Sequence, residues 1–434
     1  MNNLGLAVLV VFIGTYAIIS TEKVNRTAMS LLGMAVVGVV LWIGHEMGIE
    51  GGITFEELAL HVDWSTILFV TAMMIIVGVA GASGMFQYIA LQLAKPSGGD
   101  HKALFKTFVI FTFAISLFFD TTSTMLIMAP LTIEVCKALE IDFKPFLVSE
   151  SLTCNFASIP SIVGAVPNLV IAGETDLDAG FLFIVFMPLA IILLVVSLPI
   201  MTRWYAKSFG TTETYRVEAV FDIDPTHMIR SERDFYASVI ALAGLVTGFA
   251  LGPTLHIEPP MVALLVASAL LLMSHDRANK FLREVGWETV FFLVGLFGLV
   301  VALEVTHLIE ELGVVIGGII GDNAIFATVF LVWIPAMLSA FLDNLPVSAV
   351  LAPIARDFSY ISPVLPLALV FAVNIGGYLF TPLGSPANMV AIGFAEREHE
   401  HIPFSEFAKI GTVLGLIHLT IGSAWLIGVM FLIG

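Results

Sequence analysis

The sequence predicts an all-helical polytopic membrane protein: about ten transmembrane helices and two re-entrant helical hairpins, arranged as an inverted repeat. Three observations carry that prediction. Hydrophobic residues make up 58% of the 434-residue chain and charged residues 12%, with a mean hydropathy of +1.00; a soluble domain carries roughly 25% charged residues. Apolar runs of spanning length recur along the chain. Two further runs are interrupted by acidic polar clusters, and the interruptions recur at one spacing. This composition excludes a soluble enzyme and a disordered chain. The acidic balance, 18 Lys+Arg against 35 Asp+Glu for a net charge of -17, excludes a nucleic-acid partner, which requires a basic face. Cys136 and Cys154, the two cysteines, cannot form a disulfide framework.

Ten long apolar segments lie near 4–20, 28–45, 64–88, 146–172, 179–201, 236–252, 260–274, 287–303, 364–395 and 410–432. Met1-Asn2-Asn3 lacks the basic region of a cleavable signal, so the first run is expected to stay as a helix. Segments 146–172 and 364–395 are broken by Pro, Gly and Asn. Stretches 103–141 and 324–358 are cut by Asp120-Thr121-Thr122-Ser123-Thr124 and by Asp343-Asn344. The arms around Asp120 are shorter than the roughly 20 residues a span needs, so each stretch reads as a hairpin that enters and leaves on one face, its tip buried in protein.

Basic residues assign the sides. With Lys23 and Arg26 placed in the cytoplasm, the thread puts 17 of the 18 cations on that face and only Arg356 outside. The outer loops then carry Glu46, Glu50, Glu56, Glu57, Asp63, Glu174, Asp176, Asp178, Glu310, Glu311 and Asp322. Both termini are expected to be extracytoplasmic, in the cell membrane.

The two hairpins align. Phe119-Asp120 through Pro130 matches Leu342-Asp343 through Pro353 at an offset of 223 (343 − 120), which Trp64 and Trp287 share. Gly164-Ala165-Val166-Pro167-Asn168 matches Gly384-Ser385-Pro386-Ala387-Asn388 at an offset of 220 (388 − 168). Trp64 opens an inward span and Trp287 an outward one. Residues 1–205 and 235–434 are therefore expected to be inverted copies joined by a cytoplasmic linker, 206–234. Secondary transporters are built this way, with the site at the midplane where the halves meet.

An ionisable group in hydrocarbon costs a few kcal/mol and marks function by default. Asp120 and Asp343 are thus candidate ion-binding and proton-coupling residues. Asp is also a favoured N-cap, and capping does not exclude that role. Around the tips, Thr121, Thr122 and Asn344 offer oxygens; around the breaks, Asn155, Ser158, Ser161, Asn168, Asn374, Thr381, Ser385 and Asn388 do so. Unwound carbonyls and these side chains suit a hard cation or a hydroxylated solute, and half-helix N-termini suit partial negative charge. A sodium site is expected from Asp120, Asn168, Asp343 and Asn388. Glu134 and Glu150 fall at the inner side, where an interfacial, snorkelling position is the ordinary reading; Glu150 is kept as a third proton-coupling candidate. His418, deep in a span, reads as an interhelical hydrogen bond, and Cys154 as a small buried residue. The chain lacks a Walker motif, a paired His/Cys metal site and a nucleophile elbow, so neither an enzyme nor a cofactor is expected.

Ser339-Ala340-Phe341-Leu342-Asp343-Asn344-Leu345-Pro346, Asn374-Ile375-Gly376-Gly377 and Thr381-Pro382-Leu383-Gly384-Ser385-Pro386-Ala387-Asn388 resemble the ArsB/NhaD group of the ion transporter superfamily. That group holds arsenite permeases, sodium/proton antiporters, the melanosomal P protein and plant silicon exporters; divalent-anion/sodium symporters are more distant. The resemblance covers nearly the whole chain. The first half departs from it, with Asp120-Thr121 at the tip and Asn155-Phe156-Ala157-Ser158 at the break. The resemblance implies an inverted-repeat fold, a homodimer and elevator-type alternation. If the solute is a metalloid, it also implies a soluble ATPase partner on the cytoplasmic loops.

Two resident carboxylates repel a dianion, since unit charges at 4 Å interact by about 4 kcal/mol at an effective dielectric near 20. No Lys or Arg is expected in the apolar core to offset them. Proton-coupled efflux of a neutral metalloid hydroxide such as arsenite or antimonite is therefore the first expectation, and sodium/proton antiport the second. Sodium-coupled dicarboxylate symport is a further alternative, disfavoured unless several sodium ions bind as well. A channel or scaffold has no need of duplicated hairpins.

Overall fold

The computed structural model describes residues 3–19, 24–210, 225–255, 257–274 and 277–433. Lys23, Arg216 and residues 211–224 of the expected linker lie outside the described residues. Helices α1 (Asn3–Ile19) and α2 (Arg26–Glu46) pair, and α3 (Phe55–Leu60) follows. Then come α4 (Trp64–Ser83), α5 (Met85–Ala94), α6 (His101–Ser116), α7 (Thr121–Ala138), α8 (Lys144–Ala157), α9 (Val166–Thr175) and α10 (Ala179–Trp204). The second half opens with α11 (Glu232–Leu255), α12 (Pro259–Met273) and α13 (Ala278–Glu284). It continues with α14 (Trp287–Val305), α15 (Leu308–Ile320), α16 (Ala324–Ser339), α17 (Asn344–Asp357), α18 (Leu365–Gly376), α19 (Pro386–Arg397) and α20 (Phe404–Ile433). No β-strand occurs among the described residues. Five helices, α2, α4, α10, α14 and α20, are long and apolar enough to cross a membrane by length and composition; α1, α12, α16 and α18 are shorter apolar helices.

Several helix starts carry side-chain caps. The first-turn amides of a helix have no intrahelical acceptor. Asn25, Asp63, Asp178 and Asn323 supply one, accepting from the amides of Ala28, Thr66, Phe181 and Phe326 at 2.7–3.0 Å. At α3, Thr54 and Glu57 form a reciprocal capping box. The bonds from the Thr54 amide and hydroxyl hold the exposed Glu57 carboxyl below its ordinary pKa.

Two expected continuous segments are divided. The run 64–88 stops at Gly84, which adopts a left-handed φ of 87° and turns the chain into α5. After α14 the chain passes through His307, also left-handed, into α15, a helix that hydropathy alone did not single out. Its first turn carries Glu310 and Glu311 while Ile309, Ile316 and Ile320 are buried.

The order from α4 to α10 returns from α14 to α20: a long helix, a shorter one, two arms around an Asp turn, two arms around a break, and a long closing helix. Packing crosses between the halves. Helix α2 lies on α14 and α12 on α4, forming a framework. The arms form a second body, in which α7 packs on α19 and α9 on α17. Ion pairs join the ends of these crossed helices: Lys137 with Glu398, Lys144 Nζ with Glu400 Oε2 at 2.7 Å, and Arg356 with Glu174. The Lys144 bond holds the Glu400 carboxyl low. Glu398→Lys is expected to lower the thermal unfolding midpoint in detergent slightly, and Lys137→Glu in the same chain to recover it. The deficit should shrink at high salt, where exposed charges are screened.

Candidate functional site

The two Asp turns meet. Asp120 lies between α6 and α7, and Asp343 between α16 and α17, each as the N-cap of the second arm. The Asp120 carboxylate accepts from the amides of Thr122 and Ser123 at 3.1 Å each and from the Ser123 hydroxyl. Asp343 accepts from the Leu345 amide at 3.2 Å. The capping reading therefore holds, and each carboxylate also lines a shared cavity of about 50 Å³ together with Thr121, Thr122, Asn344 and Leu345. Asp120 is 9% exposed.

Arg26, exposed at the first residue of α2, lines the same cavity and so stands beside the tips without entering the apolar core. Its guanidinium lies over the Phe292 ring, 5.4 Å from the centroid, and acts electrostatically on Asp343. The neighbouring Thr27 hydroxyl donates to the Glu288 carbonyl at 2.8 Å, pinning the start of α2 to the start of α14. Reading Arg26 as a loop charge missed that it is the first residue of a helix whose partner lies 261 residues away.

The polar residues of the two breaks gather in a second cluster. A broken helix leaves carbonyls without partners, and in hydrocarbon each such group costs several kcal/mol. Asn168 Nδ2 donates to the carbonyls of Ser158 (3.0 Å) and Ser161 (2.9 Å). Its counterpart Asn388 donates to those of Gly377 (2.7 Å) and Pro382 (3.1 Å). Each first-arm Asn then reaches across to the other half: Asn374 Nδ2 to Asn168 Oδ1 at 2.6 Å and Asn155 Nδ2 to Asn388 Oδ1 at 3.2 Å. The Ser158 hydroxyl sits 2.8 Å from the Asn155 carbonyl and 3.1 Å from Asn374 Oδ1. Asn155, Ser158, Asn168, Asn374, Ser385 and Asn388 are all fully buried. The carbonyls expected to be free for a ligand are thus taken by the neighbouring amides. Asn155 Oδ1 and Ser385 Oγ remain without a hydrogen-bond partner. Thr381 stands apart, its hydroxyl donating to the Ala340 carbonyl and accepting from the Leu383 amide.

Glu150 does not reach toward solvent as a snorkelling side chain would. It is fully buried in α8; its Oε1 accepts from the Thr132 hydroxyl of α7 at 2.7 Å, and Oε2 has no partner. Glu134, by contrast, is exposed. His418 makes the interhelical bonds expected of it, with Ser197 Oγ at 2.7 Å on one nitrogen and the Tyr378 hydroxyl on the other. Cys154 is buried, with Sγ 3.1 Å from the Ser151 carbonyl.

Apolar helices of spanning length, two crossed sets of broken arms and a small cavity lined by Asp120, Asp343 and Arg26 fit one class, an integral membrane transporter. The chain belongs to the citrate transporter family, CitMHS, whose model matches residues 16–360. An uncharacterised transporter of Mycobacterium tuberculosis is 30% identical to it over 429 residues, covering 96% of each chain. The human P protein is 26% identical over 506 residues, which take in 97% of this chain and 59% of that one. In fold, the chain is similar to the crystal structure of the Alcanivorax borkumensis YdaH transporter, with a TM-score of 0.60 at 15% identity over 94% of this chain and 97% of that chain.

Proposed function

We propose that this protein is a proton-coupled secondary transporter in which Asp120 and Asp343 hold the coupling charge, and that it exchanges sodium for protons. The observation that carries this reading is that both carboxylates line one cavity of about 50 Å³. Such a space matches a small cation or one or two waters, a water's share of liquid volume being about 30 Å³. Carboxylate oxygens suit a hard cation such as sodium, and a proton competes for the same lone pairs. Residues 1–205 and 235–434 act in this reading as inverted copies whose hairpins, 103–141 and 324–358, enter the membrane from opposite faces. In this reading both termini lie outside, the orientation that the distribution of basic residues favours.

Proton-coupled metalloid efflux asks for several free oxygens around a hydroxylated solute. At the breaks most of those oxygens are engaged with neighbouring amides, leaving Asn155 Oδ1 and Ser385 Oγ without a partner, while Cys154 turns its thiol to its own helix, so the cavity favours the cation. Arg26 favours a second reading, in line with the family's description as citrate transporters: carriage of a polycarboxylate together with cations, the guanidinium offsetting part of the tip charge. Everted vesicles with an imposed proton gradient separate the three. Dissipation on adding sodium or lithium supports exchange. Dissipation on adding arsenite alone supports metalloid efflux, and accumulation of labelled citrate supports the polycarboxylate reading.

Glu150 is the third coupling residue in this proposal. Among the described residues no cation pairs with it, and its Oε2 has no hydrogen-bond partner. Glu150→Gln is expected to leave the thermal midpoint within a few degrees of wild type while slowing sodium-driven proton flux several-fold. A drop in stability with unchanged flux per folded molecule would assign Glu150 to packing alone.

A further inference from the structure

We propose that Arg26 is a built-in competing cation that expels the transported ion from the tip cavity on one side of the membrane only. The inference rests on reading Asp120 and Asp343 as the coupling carboxylates. It begins from where the charges sit. Arg26 belongs to α2, which packs on α1 and α14 within the framework. The two carboxylates belong to the crossed body of hairpins and broken arms. Arg26 and the tips therefore lie on different bodies, and sliding between those bodies changes their separation.

The surface along which the tips would slide is visible. A second, larger cavity of about 610 Å³ is lined by four of the helices that line the first, α4, α9, α14 and α17. On α14 the small cavity is lined by Thr289, Phe292 and Leu293, and the large one by Phe297, Val300, Val301 and Glu304. On α17 the lining passes from Asn344 and Leu345 to Ala349, Ala352 and Pro353, and on α9 from Val166 and Pro167 to Leu169, Val170 and Glu174. The shift along α14 from Phe292 to Val300 is eight residues, about 12 Å at 1.5 Å per residue.

The charge along that path reverses. At the small cavity the framework presents Arg26. At the large one it presents Asp63, Glu258 and Glu304; Glu174 and Asp176 also line that cavity but belong to the body and travel with the tips. Among the described residues lining the large cavity there is no Lys or Arg; His61 is the one basic group, and Arg356 stands by paired with Glu174. Tips that have moved to the large cavity face carboxylates, which favour a bound cation. Tips brought back to Arg26 face a guanidinium that cannot deprotonate, and it competes with the bound ion for the same oxygens. One fixed charge thus makes the affinity for the cation depend on the side to which the site opens, and release on the Arg26 side is assisted.

The test uses the full-length protein in proteoliposomes, with sidedness fixed by a membrane-impermeant inhibitory thiol reagent acting on a single cysteine added to one face. Sodium-dependent proton flux is measured with sodium varied on each face in turn, for wild type, Arg26→Gln and Arg26→Lys, alongside size-exclusion profiles that confirm folding. Arg26→Gln is expected to lower the apparent KM for sodium at least ten-fold on the Arg26 side, to leave the opposite KM within two-fold, and to reduce kcat because release slows. Arg26→Lys keeps a cation in place and should restore most of the asymmetry. Equal KM changes on both faces, or none, in a folded Arg26→Gln protein would overturn the role of Arg26 while leaving the carboxylates in place. Absence of sodium- or lithium-dependent flux in wild type would overturn the coupling reading itself, and this inference with it.

Discussion

Replacing Asp343 by Asn is expected to abolish sodium-driven proton flux while leaving the protein folded, and Asp120→Asn to do the same. The pair separates two roles that a single Asp performs here. Each carboxylate caps a helix, accepting from the Leu345 amide in one case and from the Thr122 and Ser123 amides in the other. Asn caps a helix about as well as Asp, whereas Ala at such a site costs about 1 kcal/mol. The Asn variants should therefore match wild type in thermal midpoint within a few degrees, and Asp343→Ala should fall below them. Flux should not follow that ranking. Asn offers one neutral oxygen where the carboxylate offered two charged ones, and it carries no exchangeable proton in the physiological range. Loss of at least a hundred-fold in coupled flux is expected in all three variants. Equal flux in wild type and both Asn variants would make the two residues caps and nothing more.

The second large effect is on stability. Gly384 ends the short turn Pro382–Gly384 in the second break, and a Cβ placed on it would fall well inside the van der Waals radius of the Ser339 carbonyl oxygen and 2.8 Å from that of Gly376. Both obstacles are backbone, so no side-chain rotation relieves them. Gly164 meets the equivalent obstacle in the first half, 2.8 Å from the Ser116 carbonyl and 2.7 Å from that of Ser158. Ser116 and Ser339, the last residues of α6 and α16, are themselves related by the 223-residue offset (339 − 116). In each half the hairpin arm is seated directly on the broken helix through a glycine. Gly384→Ala is expected to destabilise by roughly 3 kcal/mol, the upper part of the range for over-packing, and Gly164→Ala by somewhat less. Gly393→Ala, with open space around the added methyl, should be neutral or slightly stabilising, since Ala is favoured over Gly in a helix by about 1 kcal/mol. Thermal unfolding of the three variants in one detergent gives the ranking directly.

Much of this arrangement could be read in the sequence, because it is written in local patterns. Hydrophobic runs mark helices, caps mark where they start, and an Asp or a Pro-Gly-Asn interruption marks where an apolar run must turn or break. That is why α6 and α7, α16 and α17, and both pairs of broken arms fall close to their expected bounds. Features that depend on what lies opposite were not legible. Gly84 ends α4 through its backbone conformation, but Met85 and Phe86 continue the apolar run and hide the stop. The Asn side chains of the breaks looked like ligand donors, since composition does not tell an amide offered to a solute from one spent on a neighbouring carbonyl. Glu150, flanked by Ser149 and Ser151, carried the polar surroundings of an interface, and its burial follows from α7 lying over it. Arg26 was counted with the loop cations because the ring it lies over, Phe292, is 266 residues away (292 − 26).

The most direct measurement asks whether the tips of the two hairpins face one another across a single small cavity. Thr122→Cys and Asn344→Cys, combined in a chain with Cys136 and Cys154 replaced by Ala, place one thiol on each tip beside that cavity. Copper-phenanthroline oxidation in native membranes should produce an intramolecular cross-link that shifts mobility on a denaturing gel, is reversed by reductant and is absent from either single-cysteine chain. If the two thiols stay unlinked even with a flexible bifunctional reagent, while each reacts freely with a water-soluble maleimide from the bulk phase, the tips do not share a pocket and the coupling mechanism built on them fails.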